Sequence, residues 1–511
     1  MDPELPDPAG QRRDLQQPRG ESGDPVARPH RLHSAPGVPA AESAPTFPCR
    51  TPVCASLKHH QSITDWRRRE AVEPSIPQRW YSAVFESPSR MCSVILSSKR
   101  AADVTLVAAC VVQLLTIRDG QPWGDDFAQY ITHARNLVEL RPYGDIGVLP
   151  AGAFLGPREY PPVFPLMLAP VYYFFGPSLP ALKVVGIVSL MLALLIFRRL
   201  FETTLVGGYL VAWALLVGFH PYLYAFASMV LSDQAFMLWT AAALLALDRW
   251  GDTKAPPRTA ALRGCIVGML IALSIETRTI GVALVPALAL IALRRRTSWH
   301  LPATALATAS FLIATTIVLV PEQFEHGARV ADMHVVRHAQ LYWAYLTSFF
   351  PGFTESSAQA TLSALRQQAG LAPVFDAPGP SKLTLVVAAL ALGIVAVAGF
   401  FLSVRRRLGP VEVFVCAYMP IVIVFPILQG VRFVMPLLPI LFAYLIGAVA
   451  SGRFERHRWG RIVLGMALLA GLLLHGRGLA STSVADEYGN DETTRLLDFI
   501  RTSTPADAVI E

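Results

Sequence analysis

WGDDFAQYITHARNLVEL, residues 123–140, is the stretch on which the reading of this chain turns. It follows the apolar run AADVTLVAACVVQLLTI, 101–117, and opens on two adjacent carboxylates, Asp125 and Asp126. Behind them Phe127, Tyr130, Ile131, Ala134, Leu137 and Val138 recur at helical spacing, which predicts an amphipathic helix. An acid pair at the head of a helix just outside an apolar run is an unusual thing to build. The rest of the chain reads as a hydrophobic frame holding that pair against something that arrives from the lipid.

Of the 511 residues, 53% are hydrophobic and only 16% charged. Mean hydropathy is +0.42. A soluble domain carries about 25% charged residues, so the surplus apolar surface has to face lipid. The expected class is therefore an all-α polytopic membrane protein. The net charge of +7 comes from Arg and Lys at the ends of the apolar runs, which sets orientation in a bilayer and argues against nucleic acid as a partner. Six cysteines show neither CxxC nor zinc-like spacing, so no disulfide framework is expected, and Cys110, Cys265 and Cys416 read as packing residues within apolar runs.

Residues 1–90, rich in Pro, Arg, Ser, Asp and Glu, lack lasting periodicity and are expected to be a disordered extension. Met91, directly before CSVILSSKR and the first span, is an expected alternative translation start. The multi-pass domain is expected over 91–480. Spans are predicted near 101–117, 180–197, 205–222, 233–248, 264–276, 279–293, 301–320, 383–404, 411–428, 433–450 and 461–475, about eleven in all. PPVFPLMLAPVYYFFG, 161–176, with four prolines and an aromatic belt, is expected to be re-entrant or interfacial. With that assignment Lys99/Arg100, Arg198/Arg199, Arg249 to Arg263, Arg294 to Arg296, Arg405 to Arg407 and Arg453 to Arg461 fall on one side, taken as cytoplasmic together with the N-terminus. The outer side receives loops 118–160 and 321–382. Residues 481–511 read as the start of a short or truncated extracytoplasmic segment.

The unusual polar residues collect at that outer side. They are Asp125 and Asp126; Arg158, Glu159 and Tyr160 before the re-entrant element; Asp233 in FASMVLSDQAFMLW, 226–239; Glu276 and Arg278 in ETRTIGVALVP, 276–286; and Arg432 in QGVRFVMPLLP, 429–439. Ionisable groups at membrane depth are costly, so their shared side is a functional hint. At these residues the sequence resembles the GT-C superfamily of polyprenyl-phosphate-sugar-dependent glycosyltransferases. The nearest branch is similar to the protein mannosyltransferases and the lipid A aminoarabinose transferases. The resemblance covers about 100–480 and lies in motif order: the acid pair, the YPP element ending in FFG, the Ser-Asp turn at 232–233, and RF-x-MPLLP.

The resemblance implies inverting transfer of a sugar from a lipid-phosphate carrier in the inner membrane, at its outer face, to a glycan, lipid or protein. Asp125 or Asp126 would take the proton of an attacking hydroxyl. Arg432 is the leading candidate for the leaving phosphate, with Arg278 and Arg158 behind it, because a guanidinium fork matches phosphate oxygens. Asp233 would orient an arginine or the acceptor, and Glu159 and Tyr160 complete the expected site.

Plainer readings stand beside these. Asp125 and Asp233 can be helix caps, Arg158 with Glu159 an exposed loop ion pair, and Arg278 or Arg432 side chains that reach to headgroups. His334 and His338, four apart in ADMHVVRHAQLYWAYL, 331–346, have zinc-compatible spacing but also suit an ordinary loop helix. Two carboxylates and a phosphate could also hold a divalent ion. Lys183 can reach outward or touch phosphate, and Tyr342, Trp343 and Tyr345 suit an interfacial belt. The competing function is a secondary transporter or flippase for a lipid-linked or anionic solute. That function predicts midplane charges and two related halves, neither of which the sequence carries.

Overall fold

The structure, a computed structural model, describes residues 88–117, 126–146, 159–227, 229–251, 253–294, 299–320, 335–350, 380–425 and 430–451, with isolated positions between 469 and 503. The chain divides into 1–78 and 79–511, and every described residue belongs to the second unit. The expected extension, apart from its last three residues, lies outside the described residues. So do Asp125, Arg158, His334, residues 118–125 and 147–158 of the first outer loop, most of the second outer loop and most of the final expected span.

The described residues are helical throughout their regular structure. In order they form α1 (Pro88–Leu115), α2 (Phe127–Val138), α3 (Val163–Phe175), α4 (Leu179–Phe201), α5 (Gly208–Gly218), α6 (Pro221–Ala227), α7 (Asp233–Gly251) and α8 (Pro257–Ile275). A 3-10 turn, Thr279–Leu284, leads into α9 (Val285–Arg294), followed by α10 (His300–Leu319), α11 (Val335–Ser348), α12 (Pro380–Arg406) and α13 (Pro410–Val424). Two further 3-10 turns, Gly430–Phe433 and Met435–Leu437, open α14 (Leu438–Ser451).

Leu179–Phe201, Pro257–Ile275, His300–Leu319 and Val431–Ala450 are long and apolar enough to cross a membrane, and α5 with α6, bent by 48°, make a fifth span if taken as one. The chain is an all-α polytopic membrane protein. Hydropathy counts apolar runs, whereas breaks in the backbone divide some of them. Val163–Phe175, Thr279–Arg294 and Pro410–Val424 are apolar but shorter than a span needs. The 13 residues of α3 reach only about 20 Å at 1.5 Å each, in keeping with an element that enters the membrane without crossing it. The total of eleven spans stays an expectation.

With lipid outside, helices here associate through close packing rather than water exclusion. Gly264 and Gly268, one turn apart on α8, bring that helix against α10. A Cβ at 268 would lie 2.9 Å from the Thr308 Cβ and collide with the Ala305 carbonyl, and a Cβ at 264 would meet Thr304 and the Leu301 carbonyl. The bend between α5 and α6 is stitched by buried His220. Its Nδ1 accepts the Tyr222 N–H (3.2 Å) and its Nε2 therefore carries the proton donated to the Phe349 carbonyl (2.7 Å). Tyr342 and Tyr345, expected in an interfacial belt, are instead fully buried; only Trp343 turns outward, 39% exposed. Spacing of three places the two tyrosines on the inner face of α11. Cys110 is buried as a packing residue, but Cys265 and Cys416 lie on the outer surface of the bundle.

The helices have two chemically distinct ends. At one, Glu202 gathers Arg198 (2.7 Å), Arg249 (3.2 Å) and Lys99 (3.4 Å), while the Arg198 Nε faces Asp103 at 2.8 Å. Arg407 approaches Asp248 at 3.9 Å on the same set of helix ends. Arg198 and Arg199, Arg249, and Arg405 and Arg406 lie in the last turns of α4, α7 and α12, where the helix dipole favours them. Asp233, at the other end of α7, is 16 residues from Arg249, about 24 Å along the axis.

Candidate active site

At that opposite end four charged residues from distant parts of the chain meet. Asp126 is the residue before α2, the position of a helix cap, yet its side chain makes no capping bond. Its Oδ2 accepts from Arg432 Nη2 (3.1 Å) and its Oδ1 from the Tyr160 hydroxyl (2.8 Å). Asp126 and Arg432 are 306 residues apart in sequence. Asp233, 1% exposed, likewise turns away from capping: its Oδ2 accepts from Arg432 Nε and Nη2, both at 3.3 Å, and its Oδ1 from Arg278 Nη1. Arg432 Nη2 is thus shared by two carboxylates, and Arg278 closes the far side of Asp233.

Broken helices aim the arginines. At the end of α8 the chain leaves helical geometry: Arg278 is extended, with φ −150° and ψ 126°, before the 3-10 turn begins. Its guanidinium lies 4.8 Å from the centroid of the Phe433 ring, a cation–π contact, so it does not reach to headgroups. Arg432 sits in the 3-10 turn before α14, and the Tyr418 hydroxyl donates to the carbonyl of its neighbour Phe433 (2.7 Å). Irregular backbone of this kind at a membrane end is tolerated where it is buried in protein or lines a cavity.

One face of α2 faces this cluster. Asp126, Tyr130 and His133 stand at i, i+4 and i+7. The Tyr130 hydroxyl bonds to Ser232 Oγ (2.9 Å), directly before Asp233, and its ring packs 4.9 Å from Tyr160 and 5.1 Å from Phe164. A small apolar group including Phe127, Tyr130, Ala134, Phe164, Leu168 and Leu182 forms the floor. The α3 start is tied in by the Val163 N–H, which donates to the Glu276 carbonyl (3.1 Å). Burial raises the Tyr160 hydroxyl well above the ordinary tyrosine range, helped by the Asp126 charge, so it donates to that carboxylate rather than ionising.

Of the predicted site residues, the structure brings together Asp126, Asp233, Arg278, Arg432 and Tyr160. Glu159 is buried beside Tyr160, not an exposed loop ion pair, and a Cβ at Gly144 would come within 2.5 Å of its Oε1. His338 is buried on α11 with Nδ1 3.3 Å from the Ile423 carbonyl. Among the described residues no three His, Cys, Asp or Glu side chains form a metal-binding group. Asp126 and Asp233 share Arg432, so a metal between those two would have to displace that guanidinium, and Asp125 of the expected acid pair lies outside the described residues. Tyr130, His133 and Tyr143 are not among the predicted site residues, and Ser232 enters only with the Ser-Asp turn at 232–233. The i, i+4, i+7 spacing from Asp126 is the signal that could have found Tyr130 and His133.

Fold and site define a polytopic helical membrane protein with a carboxylate–arginine cluster at one end of its helices. No known family profile matches the sequence, and no curated protein matches it. Among solved structures it is similar to ArnT from Cupriavidus metallidurans bound to undecaprenyl phosphate, at 17% identity over 75% of this chain and 66% of that one, with a TM-score of 0.43. It is also similar to the archaeal oligosaccharyltransferase AglB from Archaeoglobus fulgidus in complex with an inhibitory peptide and a dolichol-phosphate, at 16% identity over 79% of this chain and 58% of that one, with a TM-score of 0.46. The chain spans less than two thirds of the length of either.

Proposed function

We propose that this protein is a membrane glycosyltransferase that moves a sugar from a polyprenyl-phosphate carrier to an acceptor hydroxyl, with inversion, at the outer face of the cell membrane. The observation that carries this reading is the single guanidinium of Arg432 held between Asp126 and Asp233. Such a group is oriented for phosphate but not locked. Asp126, with its side chain 29% exposed, is the more replaceable of the two partners, whereas Asp233 is 1% exposed and anchored by Arg278.

A lipid phosphate entering the cluster competes with Asp126 for Arg432 Nη2. Binding then frees one carboxylate oxygen at the moment a base is needed. The acceptor oxygen attacks the anomeric carbon, its proton passes to the carboxylate, and the bond from that carbon to phosphate oxygen breaks with its electron pair going to the phosphate. Arg432 and Arg278 offset the charge that develops there. A single displacement inverts the anomeric centre. Asp126 is the base in this scheme unless its neighbour Asp125 takes the proton; Arg158 is a further candidate for the phosphate. The basic network around Glu202 at the other end supports placing the site on the outer face, by the positive-inside bias.

Membranes containing Asp125→Asn, Asp126→Asn or both are given a radiolabelled polyprenyl-phosphate sugar, with undecaprenyl and dolichyl carriers tried first. At least one variant is expected to lose transfer by about a hundredfold or more. Wild-type transfer by all three rejects the catalytic assignment.

A further inference from the structure

His133 is fully buried on α2, two turns beyond Asp126, and both of its ring nitrogens are engaged. Nε2 lies 3.4 Å from the Tyr160 backbone nitrogen, whose N–H can only donate, so Nε2 accepts. Nδ1 lies 2.9 Å from the Tyr143 carbonyl and therefore carries the proton. Asn136 Nδ2 donates to the same carbonyl (3.2 Å) and to that of Asp145 (2.8 Å). The Tyr143 ring stacks on His133, with centroids 4.4 Å apart and planes 18° apart, and its hydroxyl donates to the Tyr160 carbonyl (2.7 Å).

The backbone of Tyr160 is therefore gripped from both sides, its N–H by His133 and its C=O by Tyr143. The following Pro161 restricts it further to extended geometry. With the backbone fixed, the Tyr160 ring rests on Tyr130 and its hydroxyl reaches Asp126 Oδ1 at 2.8 Å. We propose that His133 is a positioning residue that, with Tyr143, holds Tyr160 so that its hydroxyl fixes the orientation of the Asp126 carboxylate for transfer. This rests on the glycosyltransferase reading above. It predicts that His133 acts on turnover through Tyr160 and leaves the arginines that hold the phosphate untouched.

The test uses the full-length protein in lipid vesicles, with undecaprenyl-phosphate sugar as donor. His133→Ala and Tyr160→Phe should each lower kcat about tenfold while donor KM stays within about twofold, as expected when orientation rather than binding is lost. Combining them should cost no more than Tyr160→Phe alone. Gln can place an amide oxygen near the Nε2 position and keep the bond to Tyr160, whereas Asn reaches only the Nδ1 position. His133→Gln should therefore retain more turnover than His133→Asn. Multiplying effects, a shift in KM without one in kcat, or Asn matching Gln overturns the proposal. If the wild-type protein transfers no sugar, the function reading fails and the clamp is judged by amide exchange of the peptide containing Tyr160. Faster exchange in His133→Ala than in His133→Gln supports the clamp, and equal exchange rejects it.

Discussion

Arg432→Ala removes three charge-assisted hydrogen bonds, two to Asp233 Oδ2 at 3.3 Å and one to Asp126 Oδ2 at 3.1 Å. Breaking a buried ion pair from one side costs about 3–5 kcal/mol, because the remaining charge loses its compensation. Two features hold the effect near the lower end. Arg278 still neutralises Asp233, and the Asp126 side chain is 29% exposed, so water can take its freed oxygen. The expected loss is about 3 kcal/mol. Arg432→Lys keeps the charge but loses the Nε bond to Asp233 Oδ2 and the planar fork that matches phosphate oxygens, and should cost about 1 kcal/mol. Adding Asp126→Asn to Arg432→Ala should recover part of the loss by removing one uncompensated carboxylate. Unfolding followed in detergent micelles reads the stability, and titration with undecaprenyl phosphate reads binding. Binding should fall in both variants, and further in Ala than in Lys. An Ala variant that unfolds at the wild-type midpoint refutes the ion-pair arithmetic, and a Lys variant that binds the lipid phosphate as tightly as wild type refutes the bidentate role.

The acid side of the stability profile should report His133. Burial pushes its pKa down to about 4, only partly offset by its bond to Tyr143. With the folded value below the unfolded one of about 6.5, stability is complete above that pH and falls by up to about 3 kcal/mol as pH drops to 4; unfolding of His133→Gln across this window should lack that contribution. Gly268→Ile should drive a branched side chain into the Ala305 carbonyl and Thr308 and cost more than about 3 kcal/mol; a protein that unfolds at the wild-type midpoint contradicts the α8–α10 contact. Glu202→Gln should cost about 1–2 kcal/mol, mainly through buried Arg198, because Lys99 and Arg249 are exposed enough for water to replace their partner. That variant should bind undecaprenyl phosphate like wild type, since it lies at the opposite helix ends.

The charged core of the site was legible in the sequence because ionisable residues stand out against apolar runs. Asp126, Asp233, Arg278 and Arg432 each interrupt or flank such a run, and the alternation of spans put them on one side. Their pairing was not legible: that Arg432 takes both carboxylates, and Arg278 only one, depends on where the backbone breaks at 276–278 and 430–437. The clamp was invisible for a related reason. His133 and Tyr143 look like any amphipathic-helix and loop residues until the chain folds Tyr160 back onto α2. Hydropathy also overstated regularity, reading unbroken spans at 279–293 and 411–428, where the 3-10 turn Thr279–Leu284 leaves only a short helix and Pro410–Val424, with Pro420 inside it, stops short of a full span. The aromatic belt at 342–345 failed because composition cannot tell an interface from the inner face of a helix.

The most direct measurement is photo-cross-linking with an undecaprenyl phosphate that carries a photoreactive group beside its phosphate, followed by peptide mapping. Adducts are expected on peptides containing Asp126, Tyr160, Asp233, Arg278 or Arg432, suppressed by unlabelled lipid phosphate and lost in Arg432→Ala. Adducts concentrated near Glu202 and Arg249, or unaffected by removing Arg432, would contradict this placement of the lipid phosphate.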